Sequence, residues 1–151
     1  MRSILTILIL IIISGCGDSD DPKILFEQGK YEKAFALWSP LANAGDSLAQ
    51  NYMGIHYYLG LGKKRNYKSA KQWFEKAAGN GFADAQYNLG VMYENGQAVK
   101  ADYVAAYMWF YLANKNGNRN AAKRMQSMGD DHKLFPNQMN RAIELSKEFD
   151  R

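Results

Sequence analysis

The sequence predicts an all-α fold: a right-handed α-solenoid of about three to four stacked helix-turn-helix pairs, closed by a C-terminal capping helix. Small and aromatic residues recur with a period of 36 residues and without a gap, which is the pattern of a repeat array. Within each period the apolar residues follow helical spacing, and the pattern changes near the C-terminus, as expected where a stack ends.

The recurring residues occupy equivalent places in three consecutive units. Each 36-residue period carries a tyrosine, an alanine, an aromatic residue and a glycine, and then a second alanine in the first helix of the next unit. In chain order these are Tyr31, Tyr67 and Tyr103; Ala34, Ala70 and Ala106; Trp38, Phe74 and Phe110; Gly45, Gly81 and Gly117; and Ala49, Ala85 and Ala121. One helix pair cannot bury its apolar face alone, so units of this kind stack and complete each other's core.

The first helix pair is predicted to begin at Asp21-Pro22, where the aspartate suits the N-cap and the proline suits the first helical position. Its first helix is short, residues 23–28, and ends at a turn around Gly29. Pro40 falls inside the helix that follows, where it removes one backbone hydrogen bond and is expected to bend the axis.

The later units indicate both of their helices and the helix ends. In the first helix of the second unit, Ala49, Met53 and Tyr57 form one stripe at i, i+4 and i+8. Asn66 and Asp102 stand directly before the second helix of their units, as N-caps do. The recurring glycine just past that helix suits the left-handed backbone of a helix C-terminus. Each unit is therefore predicted to be helix, loop, helix and turn.

The C-terminal part departs from the repeat. Residues 119–128 keep the second alanine and the apolar position that follows it, but lose the glycine and the tyrosine of the earlier units. Phe135-Pro136 then opens a last helix, which is predicted to end near Phe149. Its apolar residues are expected to face inward and its charged residues outward, as in a capping helix.

The N-terminus carries the pattern of a targeting signal. Residues 4–13 are almost uninterruptedly apolar, and such a run is about 15 Å long as a helix, too short for a hydrocarbon core of about 30 Å. An aliphatic residue, two small residues and a cysteine follow as Ile13-Ser14-Gly15-Cys16. This segment resembles the lipobox of bacterial lipoproteins, which implies cleavage before Cys16 and acylation of its thiol. An ordinary signal peptide with an incidental cysteine, or an uncleaved anchor, is the alternative.

Three segments follow from this interpretation: a lipoprotein signal peptide over residues 1–15, the lipidated Cys16 with an acidic tether over residues 16–22, and a helical domain over residues 23–151. The expected location is the cell envelope, with the protein membrane-anchored and facing the periplasm. By the same resemblance, Gly17 after the cysteine favours the outer membrane in a Gram-negative source. Cys16 is the only cysteine, so no intrachain disulfide is possible.

A formal net charge of +4 and a pI near 9.1 raise the question of nucleic-acid binding. Charges of both signs are interspersed along the chain, however, and an exported protein rarely meets nucleic acid. We therefore predict no nucleic-acid partner, no cofactor and no small-molecule substrate. The expected contacts are another protein, and the membrane through acylated Cys16.

Two segments carry a family resemblance. Residues 83–96 read Ala-Asp-Ala-Gln-Tyr-Asn-Leu-Gly-Val-Met-Tyr-Glu-Asn-Gly, and residues 103–117 read Tyr-Val-Ala-Ala-Tyr-Met-Trp-Phe-Tyr-Leu-Ala-Asn-Lys-Asn-Gly. Together they resemble the Sel-one-like repeat, a relative of the tetratricopeptide repeat, and the likeness extends over residues 23–149. The resemblance implies a scaffold for protein interaction, and in some bacterial members an immunity partner of a secreted toxin. Ala98 occupies the position that corresponds to Gly62 one unit later, and this replacement predicts a changed shape for the second loop.

The sequence contains few candidate catalytic residues, and we predict that the protein is not an enzyme. His56 and His132 are its two histidines, and the sequence has no His-Glu-x-x-His motif and no paired cysteines. His56 is expected on a helix surface or between helices. Asp130-Asp131-His132 precedes the capping helix and is interpreted as a loop rather than a metal site. A cell-wall-related hydrolase and a purely structural envelope lipoprotein stay open as alternatives.

One helix is apolar over a wider arc than its counterpart. Beside its core stripe the helix of the second unit carries Leu48, Tyr52, Ile55 and Leu59, where the next unit has Asp84, Asn88, Val91 and Asn95. Packing on the preceding short helix pair is one interpretation. An exposed patch for a partner is the other, since rigid aromatics such as Tyr52 are enriched at interface hot spots. The candidate partner-binding residues are Leu48, Tyr52, Ile55, Leu59 and Asn88.

Overall fold

The computed structural model describes residues 20–149, and the predicted signal peptide and Cys16 lie outside this range. Within it the chain forms eight α-helices and no strand, which confirms the all-α prediction. In chain order the helices are α1 (Pro22–Glu27), α2 (Tyr31–Asn43), α3 (Ser47–Leu59), α4 (Tyr67–Gly79), α5 (Ala83–Asn95), α6 (Tyr103–Lys115), α7 (Arg119–Asp130) and α8 (Pro136–Phe149). None of these helices has the length and apolar character needed to cross a bilayer.

The helices stack in the order of the chain. Each one packs against the next from α1 to α7, and the last helix, α8, folds back onto α6. Three clusters of buried side chains follow each other along the stack, the first around Trp38 and Met53, the second around Phe74 and Leu89, and the third around Phe110. Each cluster combines side chains of neighbouring units, as the period predicts for a repeat array.

Most helix starts and ends lie where the sequence predicted them. Asp21, Asn66 and Asp102 each accept a hydrogen bond from a backbone N–H of the first turn, at 2.7, 3.1 and 2.9 Å. The three recurring glycines that follow α2, α4 and α6 have φ angles of 99°, 76° and 100°. Only glycine adopts this left-handed backbone without a steric penalty, which explains why the position is glycine in every unit.

Two helical glycines let neighbouring helices come close together. Gly90 on α5 lies against the ring of Phe110 on α6, and a Cβ added to it would stand 2.5 Å from a ring carbon. Gly54 on α3 has the same relation to Phe74 on α4. The recurring glycine and the recurring aromatic are therefore complementary, because the ring fills the space that a side chain on the first helix would need.

Three details differ from the sequence prediction. Helix α1 ends at Glu27, one residue earlier than expected, whereas Pro22 takes the first helical position as predicted. Helix α7 continues to Asp130, two residues beyond its predicted end. The loop shape does not change at Ala98, whose φ of 61° matches the 65° of Gly62, so an alanine holds a left-handed backbone there. Pro40 lies inside α2, as predicted.

Candidate functional site

A groove runs along one face of the stack, and alternate helices line it. The first helices of three successive units, α3, α5 and α7, form its walls, and its main depression has a volume of about 340 Å³. The residues around this depression are Leu48, Asn51, Tyr52, Ile55, Asp84, Tyr87, Asn88, Asn118 and Asn120. A second depression continues past Tyr87 and Asn120 to Lys123, Arg124 and Ser127. The two depressions together are called the groove below.

The lining of the groove follows the repeat. Its residues are equivalent positions of successive units and form triplets: Leu48, Asp84 and Asn120; Asn51, Tyr87 and Lys123; Tyr52, Asn88 and Arg124. In the first triplet the side chain changes from a leucine on α3 to an aspartate on α5 and an asparagine on α7. In the third triplet it changes from a tyrosine on α3 to an asparagine on α5 and an arginine on α7. The groove therefore offers apolar contact at one end and positive charge at the other.

Hydrogen bonds between units hold the polar side chains of the groove. Asn88 Nδ2 donates to Asn51 Oδ1 at 3.1 Å, which links α5 to α3. Asn118 Nδ2 donates to Asp84 Oδ1 at 2.7 Å and links the start of α7 to α5. Asn118 Oδ1 already accepts from the backbone N–H groups of Asn120 and Ala121, whereas the half-buried amide of Asn88 has a second donor hydrogen and an acceptor oxygen beyond the bond named. The groove can therefore bond a polypeptide backbone, which presents both N–H and C=O groups.

Tyr52 belongs to the core and to the groove. Its ring stacks on Trp38, with centroids 4.6 Å apart and planes 7° from parallel, and meets the ring of Phe26 at 5.1 Å. Burial raises the pKa of its hydroxyl, and the carboxylates of Glu27 and Asp84 raise it further, so the phenol stays protonated. Packing on the preceding helix pair, one of the two interpretations above, therefore holds for this ring, although the residue also lines the groove.

The structure brings four of the five candidate residues together. Leu48, Tyr52, Ile55 and Asn88 line the groove, and Leu48 keeps 41% of its surface exposed. Leu59 does not join them and is 56% exposed at the C-terminal end of α3. At the helical rise it lies about 16 Å further along the axis than Leu48, beyond the part of α3 that lines the groove.

Sequence reasoning missed much of the groove wall. Asn51, Tyr87, Asn118 and Asn120 line it but were not singled out, and Asp84 was treated only as the polar counterpart of Leu48. The signal was present in the period, because continuing the register from Leu48 through Asp84 leads to Asn120. The departure of α7 from the repeat pattern concealed that its polar positions still belong to the same face.

His56 is buried rather than on a helix surface. It has no exposed area, and the rings of Phe26, Tyr31 and Phe35 meet its imidazole edge to face, at centroid distances of 5.3, 6.4 and 5.4 Å. Its Nδ1 lies 2.7 Å from the carbonyl oxygen of Leu61. Because a carbonyl only accepts, Nδ1 carries the proton of the neutral ring and donates it. The residue packs between helices, which was one of its two expected placements.

Acid should destabilise the fold through His56. Burial lowers its pKa, although the hydrogen bond to Leu61 and the charge of Glu32 act in the opposite direction. The unfolded chain, whose histidine titrates near pH 6.5, therefore takes up a proton before the folded chain does. The free energy of unfolding should then fall as the pH drops below about 6.5 and level off below the folded pKa.

The variant His56→Met tests this expectation. Met92 occupies the equivalent position fully buried, so the stack accommodates a methionine there. Urea unfolding between about pH 7.5 and about pH 5 should show a steeper loss of stability in the parent than in His56→Met. His132→Asn, at an exposed position with φ of 56°, is the control and should keep the parental slope. Equal slopes in the parent and His56→Met would contradict the assignment.

Near the C-terminus the Asp-Asp-His sequence forms a helix end and a turn. Asp130 is the last residue of α7, Asp131 pairs with Lys133 at 3.6 Å, and His132 has a left-handed backbone. Across residues 20–149, no three side chains of histidine, cysteine, aspartate or glutamate converge in a way that could hold a metal ion.

Glu94 forms a buried carboxylate bridge next to the basic end of the groove. Its side chain is 3% exposed, and it accepts hydrogen bonds from Arg124 Nε at 2.7 Å and Lys133 Nζ at 3.0 Å. The hydrogen bond to Glu94 raises the pKa of Lys133. Since Glu94 lies on α5, Arg124 on α7 and Lys133 between α7 and α8, the bridge ties the C-terminal helices to the third unit.

Comparison with known proteins agrees with this architecture. A profile of the Sel1 repeat matches residues 27–46, 47–82 and 83–118. A protective antigen present in uropathogenic Escherichia coli strains, displaying an SLR fold, is similar in structure with a TM-score of 0.76 and 30% identity, over 85% of this chain and 28% of that one. A Sel1 repeat protein from Oxalobacter formigenes is similar with a TM-score of 0.69 and 30% identity, over 85% of this chain and 54% of that one. No curated protein matches the sequence.

The profile and the two similar structures show how much of the chain the family resemblance covers. The profile ends at residue 118, before α7 and α8, so it covers less of the chain than the 23–149 expected from the sequence. The chain spans less than a third of the first similar protein and about half of the second. Because three consecutive matches cover more than half of its length and two of them begin 36 residues apart, the chain belongs to the Sel1 repeat family.

Proposed function

We propose that the protein is an envelope-anchored interaction module that binds a segment of another protein in the groove. The observation that carries this proposal is the graded lining, in which exposed Leu48 stands at one end and exposed Lys123 at the other. Three helices of successive units present this lining on one face, so a single bound segment would contact all three. This arrangement suits recognition of an elongated ligand better than of a compact one.

The lining favours an extended segment with an apolar residue at one end and an acidic residue at the other. An extended segment exposes backbone N–H and C=O groups, which the amide side chains of the three helices can bond. Its apolar side chain would pack on Leu48 and Ile55, and its acidic side chain would lie near Lys123. Tyr52, fixed by its stacking, adds a rigid aromatic surface that loses little freedom on binding.

A matched pair of leucine variants tests the groove. Leu48→Arg places a charge inside the groove, and we expect it to weaken partner binding by about tenfold or more, as at interface hot spots. Leu59→Arg makes the same change on the same helix at a more exposed position outside the groove, and should leave binding within about twofold. The amount of partner that co-purifies with each variant from cross-linked membranes measures the difference.

Site-specific photo-cross-linking in cells identifies the contact directly. A photoreactive amino acid at position 48 should give an adduct with one defined protein, and the same amino acid at position 59 should not. Both variants are checked by circular dichroism, so a loss of binding is not confused with unfolding. Equal binding by the two arginine variants, or the same adduct from both positions, would overturn the groove as the binding site.

We propose further that Cys16 carries the membrane anchor. The support is the segment Ile13-Ser14-Gly15-Cys16 at the end of the apolar run. A single acyl chain binds a bilayer only marginally, whereas two or more hold a protein there stably. Metabolic labelling with an alkyne fatty acid should label the parent, and Cys16→Ser should lose the label. Label that persists in Cys16→Ser would show that the anchor assignment is wrong.

A further inference from the structure

An exposed apolar patch marks the N-terminal end of the stack. Ala36, Leu37 and Leu41 on α2 are exposed, the two leucines by 36% and 45%, and Leu37 and Leu41 lie one helical turn apart. Beside Ala36 and Leu37, a shallow depression reaches to buried Leu25 on α1. These three exposed residues of α2 are called the end patch below.

The repeat shows that the positions of Leu37 and Leu41 normally pack in the core clusters, whereas Gln72, the counterpart of Ala36 in the next unit, is exposed. The counterparts of Leu37 are Trp73, which packs on the core cluster of Trp38 and Met53, and Trp109, which belongs to the next cluster. The counterparts of Leu41, two alanines at the same place in the later units, are fully buried. Ahead of α2 the described structure has only the six residues of α1, so the end patch stays uncovered.

The chain itself leads from the patch to the predicted anchor. Asp20, the first described residue, borders the same depression as Leu37. Cys16 is four residues earlier, and four fully extended residues reach at most about 14 Å. A bilayer that holds the acyl chains of Cys16 is therefore within about that distance of Asp20, which borders the depression beside Leu37.

The two charged residues that line the depression have opposite signs. They are Asp20 and Lys33. Contact with a membrane would therefore depend on the apolar side chains rather than on attraction to anionic headgroups. Interfacial elements of this kind bury an apolar face roughly 5–10 Å into the boundary between headgroups and acyl chains.

We propose that the end patch rests in the lipid surface that holds Cys16, so that the stack stands on the membrane by its N-terminal end. The inference rests on the proposed anchor. It adds an orientation: α1 and α2 contact lipid, while α7 and α8, at the other end of the stack, point away from it. The groove then runs outward from the membrane, with its basic end furthest from the lipid.

Depth-dependent quenching tests the orientation in the full chain. The acylated protein is extracted and reconstituted in vesicles of phosphatidylethanolamine and phosphatidylglycerol that contain a spin-labelled phosphatidylcholine. Acylated Cys16 has no free thiol, so a fluorophore can be placed by Leu37→Cys in one sample and by Ala122→Cys, on exposed α7, in another. We expect the lipid quencher to remove roughly half of the emission at position 37 and almost none at position 122.

The outcomes separate the patch from the anchor. A protein that floats with the vesicles but shows no quenching at position 37 overturns the inference and leaves the anchor intact. A protein that does not float overturns both. A label at position 37 that is shielded from water, not quenched by lipid and found in a cross-linked dimer would assign the patch to a second copy instead. Leu41→Asp should reduce quenching at position 37, Leu59→Asp should not, and equal quenching in the two would also count against the proposal.

Discussion

Gly90→Ala should lower the free energy of unfolding by about 2–3 kcal/mol, a shift of about 8 °C in Tm for a chain of this size. The new methyl group would stand 2.5 Å from a ring carbon of Phe110, far inside van der Waals contact. Phe110 is fully buried, so its ring cannot swing out into solvent to relieve the clash. Alanine is the better helix former by about 1 kcal/mol, and the expected loss is the net of that gain and the overpacking.

Gly79→Ala is the matched control for this prediction. Gly79 is also helical, at the end of α4, but a Cβ there would meet nothing within 4 Å. The same substitution should therefore stabilise the protein by roughly 0.5 kcal/mol through helix propensity alone. Thermal and urea unfolding of the two variants measure the change in Tm and in the free energy of unfolding. Changes of the same sign in both variants would contradict the role given to Gly90.

A second substitution checks the mechanism of the clash. Phe110→Leu alone should destabilise the fold, because it leaves a space in the third core cluster. Combined with Gly90→Ala, it should cost less than the sum of the two single changes, since the methyl group would then occupy part of that space. Strict additivity in this double-mutant cycle would mean that the two residues do not compete for one volume.

The period in the sequence was enough to predict the stack but not all of its exceptions. The matches at 36 residues predicted which residues face the core, and the two recurring alanines and the recurring aromatic residue after the first of them are buried in all three clusters, whereas the recurring tyrosine is only partly buried and Tyr103 is 40% exposed. The burial of His56 was harder to predict, because no residue of its own unit indicates that the position faces the core. Its counterpart Met92, a large apolar residue, was the signal that the position faces the core.

Contacts between distant units were outside the reach of sequence reasoning. Glu94 looks like an ordinary charged residue near a helix end, and its partners Arg124 and Lys133 are 30 and 39 residues away. Only the stacking of α7 beside α5 brings them together. The apolar end of the groove on α3 could be predicted from the sequence. Its basic end could not, because it depends on how α7 packs in the folded stack.

The carboxylate bridge gives the second large expected effect. Glu94→Gln keeps the volume of the side chain but removes the charge that Arg124 and Lys133 bond. Breaking a fully buried ion pair destabilises a protein by about 3–5 kcal/mol. Arg124 and Lys133 are 39% and 31% exposed and can regain water, so we expect a smaller loss, about 2 kcal/mol.

The exposed pair of Glu144 and Lys147 provides the control for this change. It is also a carboxylate–lysine pair, at 2.6 Å, but its side chains are 68% and 60% exposed, and Glu144→Gln should alter stability by less than about 0.5 kcal/mol. The two substitutions remove the same charge from the chain, so a difference between them measures burial and not net charge. Equal effects of Glu94→Gln and Glu144→Gln would contradict a structural role for the bridge.

Hydrogen exchange locates the effect of Glu94→Gln in the chain. The bridge joins α5 to α7 and to the segment before α8. Backbone amides of α7 and α8 should therefore exchange faster in Glu94→Gln, while those of α3 and α4 should keep their protection. Because Arg124 also lines the groove, loosening α7 should weaken partner binding even though Glu94 itself is buried away from the ligand. Uniformly faster exchange in all helices would instead mean that the stack unfolds as one cooperative unit and that the bridge stabilises it globally.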